Sequence, residues 1–404
     1  MRHIVVLGCG FAGYHAAQKL EKSLAGRRRV QLTVVSRRAH FTFSPLLPAV
    51  ATGQLDPDQV TTPVSDAFGA RTQVVIDDIE AIDLEARHLV GSGEPIPFDY
   101  LLIATGGRRR TDVFDGAAQL RGPDNLGDAV TIGDELKEAF SSHNPPRRFA
   151  VIGASSTGVE WAAELAAALA DDVARQGGAQ PTVDLYEAGD RILPDHSHRI
   201  SLRAAQHLEY LGVATHLKSP VIEARATSLT PADGSPRDFD AVYHCAGRRG
   251  LTTWIDSPLP TDDLGRIRIT DRLEVEEATG IFAAGDAAAP LPDSPSTSNP
   301  QVAVQQGRWA ARNLLAHMTG RTKKPFQYDD RGDFVTLGRG QALLDLRGIV
   351  LEGKAAWLAY RLYYTSLMPR PIQKARLLVD SIASRLSSES TPPRALPDDG
   401  TDSK

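Results

Sequence analysis

Gly8-Cys9-Gly10-Phe11-Ala12-Gly13 and Gly153-Ala154-Ser155-Ser156-Thr157-Gly158 are two glycine-rich loops of matching spacing in one chain. Each follows an apolar run, Ile4-Val5-Val6-Leu7 and Phe149-Ala150-Val151-Ile152, and each opens a stretch that reads as helix. A strand, a tight glycine turn and a helix N-terminus together present backbone N–H groups to a pyrophosphate. One such loop is weak evidence. Two of them, most of a domain apart, predict two bound dinucleotides that exchange electrons.

Outward from these loops, residues 3–8 and 31–36 read as strands flanking a helix near 12–25, the βαβ start of a doubly wound sheet. Shorter runs at Thr72–Ile76 and Tyr100–Ala104 follow, the latter ending in Ala104-Thr105-Gly106-Gly107. A polar, turn-rich crossing from Arg108 to Pro146 leads to the second βαβ unit, whose next strand reads as Thr182–Glu187. Tyr243-His244-Cys245-Ala246-Gly247 echoes the Ala-Thr-Gly-Gly ending, and a strand at Ile281–Ala284 ends in Gly285-Asp286. Pieces of the first unit therefore flank the second. The predicted fold is α/β, with two Rossmann-like dinucleotide-binding domains, one inserted in the other, and a C-terminal region with amphipathic helices. The expected boundaries are 1–112 and 266–328 for the first domain and 113–265 for the insert. A C-terminal domain is expected over 329–386, and a Ser-, Pro- and Asp-rich disordered tail over 387–404.

Composition narrows the classes. Of 404 residues, 42% are hydrophobic and 24% charged, ordinary for a globular protein, and a net charge of −5 gives no general attraction for nucleic acid. No run of 18 apolar residues exists, so no spanning helix is expected. The first strand starts within a few residues of Met1, leaving no room for a signal peptide, so a cytoplasmic location is expected. Cys9 and Cys245 are the only cysteines and form no CxxC or CxxxxC pair, so a redox-active disulfide beside a flavin is not encoded. No Cys/His cluster has zinc spacing, and no metal is expected.

With these residues in place, the chain resembles the type II NADH:quinone oxidoreductases, within the two-dinucleotide-binding flavoproteins. The resemblance is carried by the first glycine loop, Phe43-Ser44-Pro45-Leu46-Leu47-Pro48, Ala49-Val50-Ala51-Thr52-Gly53 and Leu102-Ile103-Ala104-Thr105-Gly106-Gly107. It continues through Thr157-Gly158-Val159-Glu160, Glu164-Leu165, Glu187-Ala188-Gly189, Arg191-Ile192-Leu193-Pro194, Phe282-Ala283-Ala284-Gly285-Asp286 and Gln301-Val302-Ala303-Val304-Gln305-Gln306-Gly307, covering residues 1–386. It implies an FAD pyrophosphate on Gly8, Gly10 and Gly13, and an isoalloxazine walled by Pro45 and Leu46. Ala104, Thr105 and Gly106, with Gly247, Gly285 and Val302, complete the implied cofactor contacts, and Asp286 would accept from the ribityl chain. Gly153, Ser155 and Gly158 would hold NADH as substrate. Glu187, at a strand end, would bond the adenosine ribose and repel a 2′-phosphate. Glu160 is implied at the nicotinamide–flavin contact, and Gln301 and Gln305, at i, i+4, would line a quinone site.

Three positions depart from the family pattern. Ser36 stands where an acid often serves the FAD ribose, a place where its hydroxyl can still bond that ribose, and with Arg37 of the following Arg37-Arg38 it counts among the implied cofactor contacts; Ser155 replaces the middle glycine of the second loop, and Pro300 replaces an alanine. Asn299 and Pro300 nonetheless read as an N-cap and first helical residue. In the C-terminal region, Trp357, Tyr360, Tyr363 and Tyr364 stand among aliphatics. Beyond Pro369 and Pro371, Ile372, Ala375, Val379, Ile382 and Leu386 recur at helical steps opposite Lys374, Arg376, Asp380 and Arg385. That pattern suits a helix in a membrane interface, peripheral on the inner face of the cell membrane, or a helix packed on its own body or in the seam of a homodimer. The leading expectation is an FAD-dependent, non-pumping transfer of electrons from NADH to a quinone in a respiratory chain. A soluble FAD-dependent NAD(P)H reductase or oxidase for a small aromatic substrate or redox partner, and a non-catalytic redox sensor, are the alternatives.

Overall fold

The computed structural model describes residues 1–141, 147–176, 181–250, 256, 258–292, 299–346 and 348–368. Its helices are α1 (Phe11–Ser23), α2 (Leu47–Ala51), α3 (Leu126–Phe140), α4 (Ser156–Gln176), α5 (His198–Tyr210), α6 (Pro300–Met318) and α7 (Gly353–Ser366). The amphipathic run expected at 372–386 and the tail from Ser387 lie outside the described residues.

The β-branched run before the first glycine loop becomes the central strand Arg2–Leu7 of a five-stranded parallel sheet. Val30–Ser36 and then Thr72–Ile76 lie on one side of it, with Tyr100–Ile103 and then Ile281–Ala283 on the other. The strand shows no alternation of apolar and polar residues because Ile4, Val5 and Val6 are all buried, as a strand covered on both faces requires. A four-stranded parallel sheet repeats this plan, with Arg148–Ile152 between Thr182–Tyr186 and Ala241–His244, and Val213–His216 at the edge. In both sheets the strand order reverses beside the strand that ends in the glycine loop. The crevice beyond such a reversal is where α/β sheets bind ligands.

Ile281–Ala283 pairs with Tyr100–Ile103 after the whole second sheet has been completed, so the second unit is inserted in the first. A two-stranded ribbon, Gly107–Arg109 against Arg248–Gly250, ties the two crossings together. Helix α6 then packs on α1 through Gly307, where a Cβ would fall 2.1 Å from the Ala12 carbonyl oxygen. The last described part is an antiparallel sheet, Asp333–Thr336, Ala342–Leu346 and Ile349–Glu352, with α7 packed on it.

Candidate functional site

The first loop closes on its own backbone. Gly8 adopts a φ of +99°, its N–H donates to the Val35 carbonyl at 2.7 Å, and a Cβ there would stand 2.3 Å from the Ala104 oxygen. Gly13 leaves room for that turn, since its Cβ would meet the Gly8 oxygen at 1.9 Å. Gly10 is the N-cap of α1, with no side-chain cap, and nothing stands within 4 Å of where its Cβ would be; the same open space surrounds Gly106. Thr105 Oγ1 beside them is buried without a hydrogen-bond partner among the described residues. Open glycine faces, first-turn N–H groups of α1 and an orphaned hydroxyl fit a dinucleotide pyrophosphate.

Around that cradle, Asp286 is fixed by an ion pair, Arg248 Nε to Asp286 Oδ2 at 3.0 Å, while Arg248 Nη2 donates to the Gly107 carbonyl. The Gly285 N–H donates to Gln306 Oε1 at 2.8 Å, so α6 braces the turn that carries Asp286. Gly247 begins the return into the ribbon at φ +70°. Leu46 is buried just before α2, and the Pro45 carbonyl accepts from the Tyr360 hydroxyl at 3.2 Å. Val302 is fully buried in the first turn of α6. Ser36, in contrast, donates its hydroxyl to the Arg38 carbonyl at 2.8 Å, within its own turn.

The second loop is a near copy. The Gly153 N–H donates to the Tyr186 carbonyl at 2.8 Å, Gly153 has a φ of +96°, and a Cβ on Gly158 would stand 1.8 Å from the Gly153 oxygen. Ser155 occupies the place of Gly10, its carbonyl accepting from the Val159 N–H as the Gly10 carbonyl does from Tyr14. Glu187 closes the loop with both oxygens: Oε2 accepts from the Ala154 N–H and Oε1 from the Gly189 N–H, each at 2.7 Å.

One turn into α4, the half-buried carboxyl of Glu160 lies against α7 and the C-terminal sheet. Its Oε1 accepts from the Thr336 N–H at 3.0 Å, and desolvation, only partly offset by Thr336 and His196, pushes it up to about 7. Glu164, buried one turn further, is raised to about 7 by the same cause against the charges of Arg339 and Arg361. Neither is the surface glutamate that helix position alone would give. Gln301 is buried, with Nε2 donating to the Gly332 carbonyl at 2.7 Å and Oε1 left without a partner among the described residues. Gln305 is clasped by the backbone of Asp329, donating to its carbonyl at 2.8 Å and accepting from its N–H at 2.9 Å. Asn299 caps α6 by accepting from the Gln301 N–H, with Pro300 in the first turn.

The sequence reading did not assign Arg248, Gln306 or Glu164. Gln306 and Glu164 stood inside quoted motifs, and only contact identifies their work; Arg248 follows Gly247 in a chain rich in arginine and carries no signal of its own. Cys9 and Cys245 are free and buried, and desolvation raises both thiols to about 12, so neither supplies a thiolate. Among the described residues no group of His, Cys, Asp and Glu could hold a metal ion.

Residues 2–307 match the model of the pyridine nucleotide-disulphide oxidoreductases. The type II NADH:quinone oxidoreductase of Mycobacterium tuberculosis is 28% identical, over 89% of this chain and 83% of its own length. The demethylphylloquinone reductase of Synechocystis is 30% identical, over 91% of this chain and 92% of its own. Among solved structures, Plasmodium falciparum NDH2 in complex with NADH superposes with a TM-score of 0.81 at 16% identity, over 95% of this chain and 98% of that one, a likeness of fold.

Proposed function

We infer that this chain, which belongs to the pyridine nucleotide-disulphide oxidoreductase family, is a type II NADH:quinone oxidoreductase. It uses FAD, oxidises NADH and reduces a quinone, and it pumps no protons. One observation carries the reading: a single chain holds two glycine loops with the same backbone closures, and its relatives along nearly the whole length are named as quinone reductases. The family's name notwithstanding, no redox disulphide takes part, because both cysteines are free. When bound, FAD supplies the hydride acceptor and the electron store between NADH and quinone.

The chain's own residues bind, orient and manage protons. The α1 N-terminus with Gly8, Gly10 and Gly13 holds the FAD pyrophosphate, Thr105 and Gly106 border it, Pro45 and Leu46 wall the ring, and Arg248 holds Asp286 toward the ribityl chain. Gly153, Ser155 and Gly158 receive NADH, with Glu187 at its ribose. Glu160 holds a proton beside the reacting rings, and the unpartnered Oε1 of Gln301 suits a hydrogen-bond acceptor on the quinone side. The proposed domain limits are 1–112 with 266–328 for FAD, 113–265 for NADH and 329–386 for the C-terminal domain.

The proposed setting is the inner face of the cell membrane. No described helix is long and apolar enough to cross one. Yet Ile349 and Leu351 on the last hairpin, and Leu358 and Leu362 one turn apart on α7, are exposed apolar residues on neighbouring elements. Such a surface suits peripheral attachment, and its use as a dimer seam instead predicts a concentration-dependent mass in sedimentation. Anaerobic stopped-flow mixing with NADH and then a soluble quinone analogue tests the chemistry. Fast loss and fast recovery of flavin absorbance are expected; loss without recovery removes the quinone assignment.

A further inference from the structure

A second cluster of polar side chains lies between α4 and the C-terminal sheet. Ser156, the first residue of α4, hydrogen-bonds through Oγ to His196 Nε2 at 2.8 Å. The other ring nitrogen, Nδ1, is buried without a hydrogen-bond partner among the described residues and stands 3.6 Å from Asp333 Oδ2. His196 is 9% exposed and Asp333 33% exposed, so the series runs from solvent inward. Ser156 and Glu160 are i and i+4 on α4 and share a face, and Glu160 feels the charge of His196 directly.

The loop that delivers His196 is built for this placement. Leu193 is fully buried at φ +51°, a backbone region costing a non-glycine residue about 1 kcal/mol or more, and its N–H donates to the Ala154 carbonyl inside the second glycine loop. Arg191 then pins the carbonyls of Pro194 and His196. A strained backbone, an arginine clamp and a buried imidazole edge aimed at a carboxylate are more than space-filling requires.

We propose that Asp333, His196 and Ser156 form the route by which protons from solvent reach Glu160. The proposal rests on the quinone-reductase reading. NADH + quinone + H⁺ gives NAD⁺ + quinol, so each turnover takes one proton from water, and the half-buried Glu160 receives its share through neighbouring groups. The groups facing Glu160 are His196 from the loop after Thr182–Tyr186, Tyr360 and Tyr364 from α7, and Glu164 from α4. The Thr336 N–H faces it from the strand that also carries Asp333. Both tyrosines are raised well above their ordinary range by burial and stay protonated, and Glu164 is itself buried. That leaves His196, whose Nε2 meets Ser156 and whose Nδ1 faces Asp333, as the link to solvent. His196 and Asp333 are positioning residues in this scheme. The proton leaves Glu160 for the quinone, a proton passed from His196 Nε2 through the Ser156 hydroxyl replaces it, and Asp333 refills the imidazole from water at Nδ1.

His196→Gln and Asp333→Asn test the route in the full-length holoenzyme. The expected result is a slowing of quinone-driven flavin recovery by about tenfold above about pH 7, where Glu160 must be reloaded each turnover, with a smaller effect below it. Loss of flavin absorbance on mixing with NADH should change little, and added imidazole should restore recovery in His196→Gln. A readout without NADH or quinone accompanies it: the infrared C=O band of protonated Glu160, identified by its absence in Glu160→Gln, should titrate at higher pH in His196→Gln, since His196 lowers that carboxyl. Recovery as fast as in the parent at every pH overturns the route. Equal slowing of both half-reactions also overturns it, making His196 a prop for the NADH loop. A parent enzyme that quinone does not reoxidise fails at the earlier reading instead, and takes the route with it.

Discussion

The two glycine loops share a scaffold and differ in what they offer a ligand. Both close by the same strand-to-loop hydrogen bond, at 2.7 and 2.8 Å, and both depend on a last glycine whose Cβ would sit 1.9 or 1.8 Å from the first glycine's oxygen. At the middle position, Gly10 presents bare backbone where Ser155 adds a hydroxymethyl group. At the strand end, Ser36 turns inward to the Arg38 carbonyl, while Glu187 presents a carboxylate braced by two N–H groups. Two residues past the last glycine, α1 has His15 and α4 has Glu160. The closures make the loop, and the middle and flanking positions decide how tightly and which nucleotide it holds. The second loop, with its added hydroxymethyl group, is the one proposed for a substrate that leaves each turnover, and the first is the one proposed for a resident cofactor.

The comparison breaks most visibly at the last glycines. Gly13→Ala and Gly158→Ala each force a Cβ into backbone, and a local loss of several kcal/mol is expected, of order 3 or more. Gly13→Ala should purify without flavin absorbance. Gly158→Ala should keep the flavin and fail to lose its absorbance with NADH. Loss of flavin from Gly158→Ala instead would mean the two loops have exchanged roles.

Glu160 separates the helices by pH. Its carboxyl is raised from 4.5 to about 7 in the folded state, so between these values the native protein keeps a proton that the unfolded chain has released. This contribution is fully present below pH 4.5 and is lost as pH rises to about 7, on the order of 3 kcal/mol for one such carboxyl. Denaturant titrations across that range should show stability falling with pH, with a shallower fall in Glu160→Gln. An unchanged slope would place the effect elsewhere.

The smallest expected change sharpens the middle position. Ser155→Gly restores bare backbone to the second loop and should lower the KM for NADH about tenfold, near 1.4 kcal/mol, with kcat little changed. A KM that stays put would mean the serine already fits the pyrophosphate, and that the loops differ only at their strand ends.

Much of this was legible because local rules sufficed. Apolar β-branched runs ending in glycine at fixed spacing specify a strand, a turn and a helix whatever lies around them, and Asn299-Pro300 specify a helix start. The insertion of one unit in the other could be read from the order of the strand endings. What each polar side chain does was not written locally. Ser36 bonds its own turn, Gln305 is clasped by Asp329, and Arg248 holds Asp286 across 38 positions.

The sequence by itself determined the two dinucleotide loops, the absence of a cysteine pair and the family, since these depend on backbone conformation and residue chemistry within short windows. Tertiary structure alone decided that Glu160 packs against α7 and the C-terminal sheet and that Glu164 is buried one turn further. It also brought Ser156, His196 and Asp333 together from three separate stretches. Desolvation and proton transfer depend on what surrounds a group in space, and those surroundings come from parts of the chain far away in sequence.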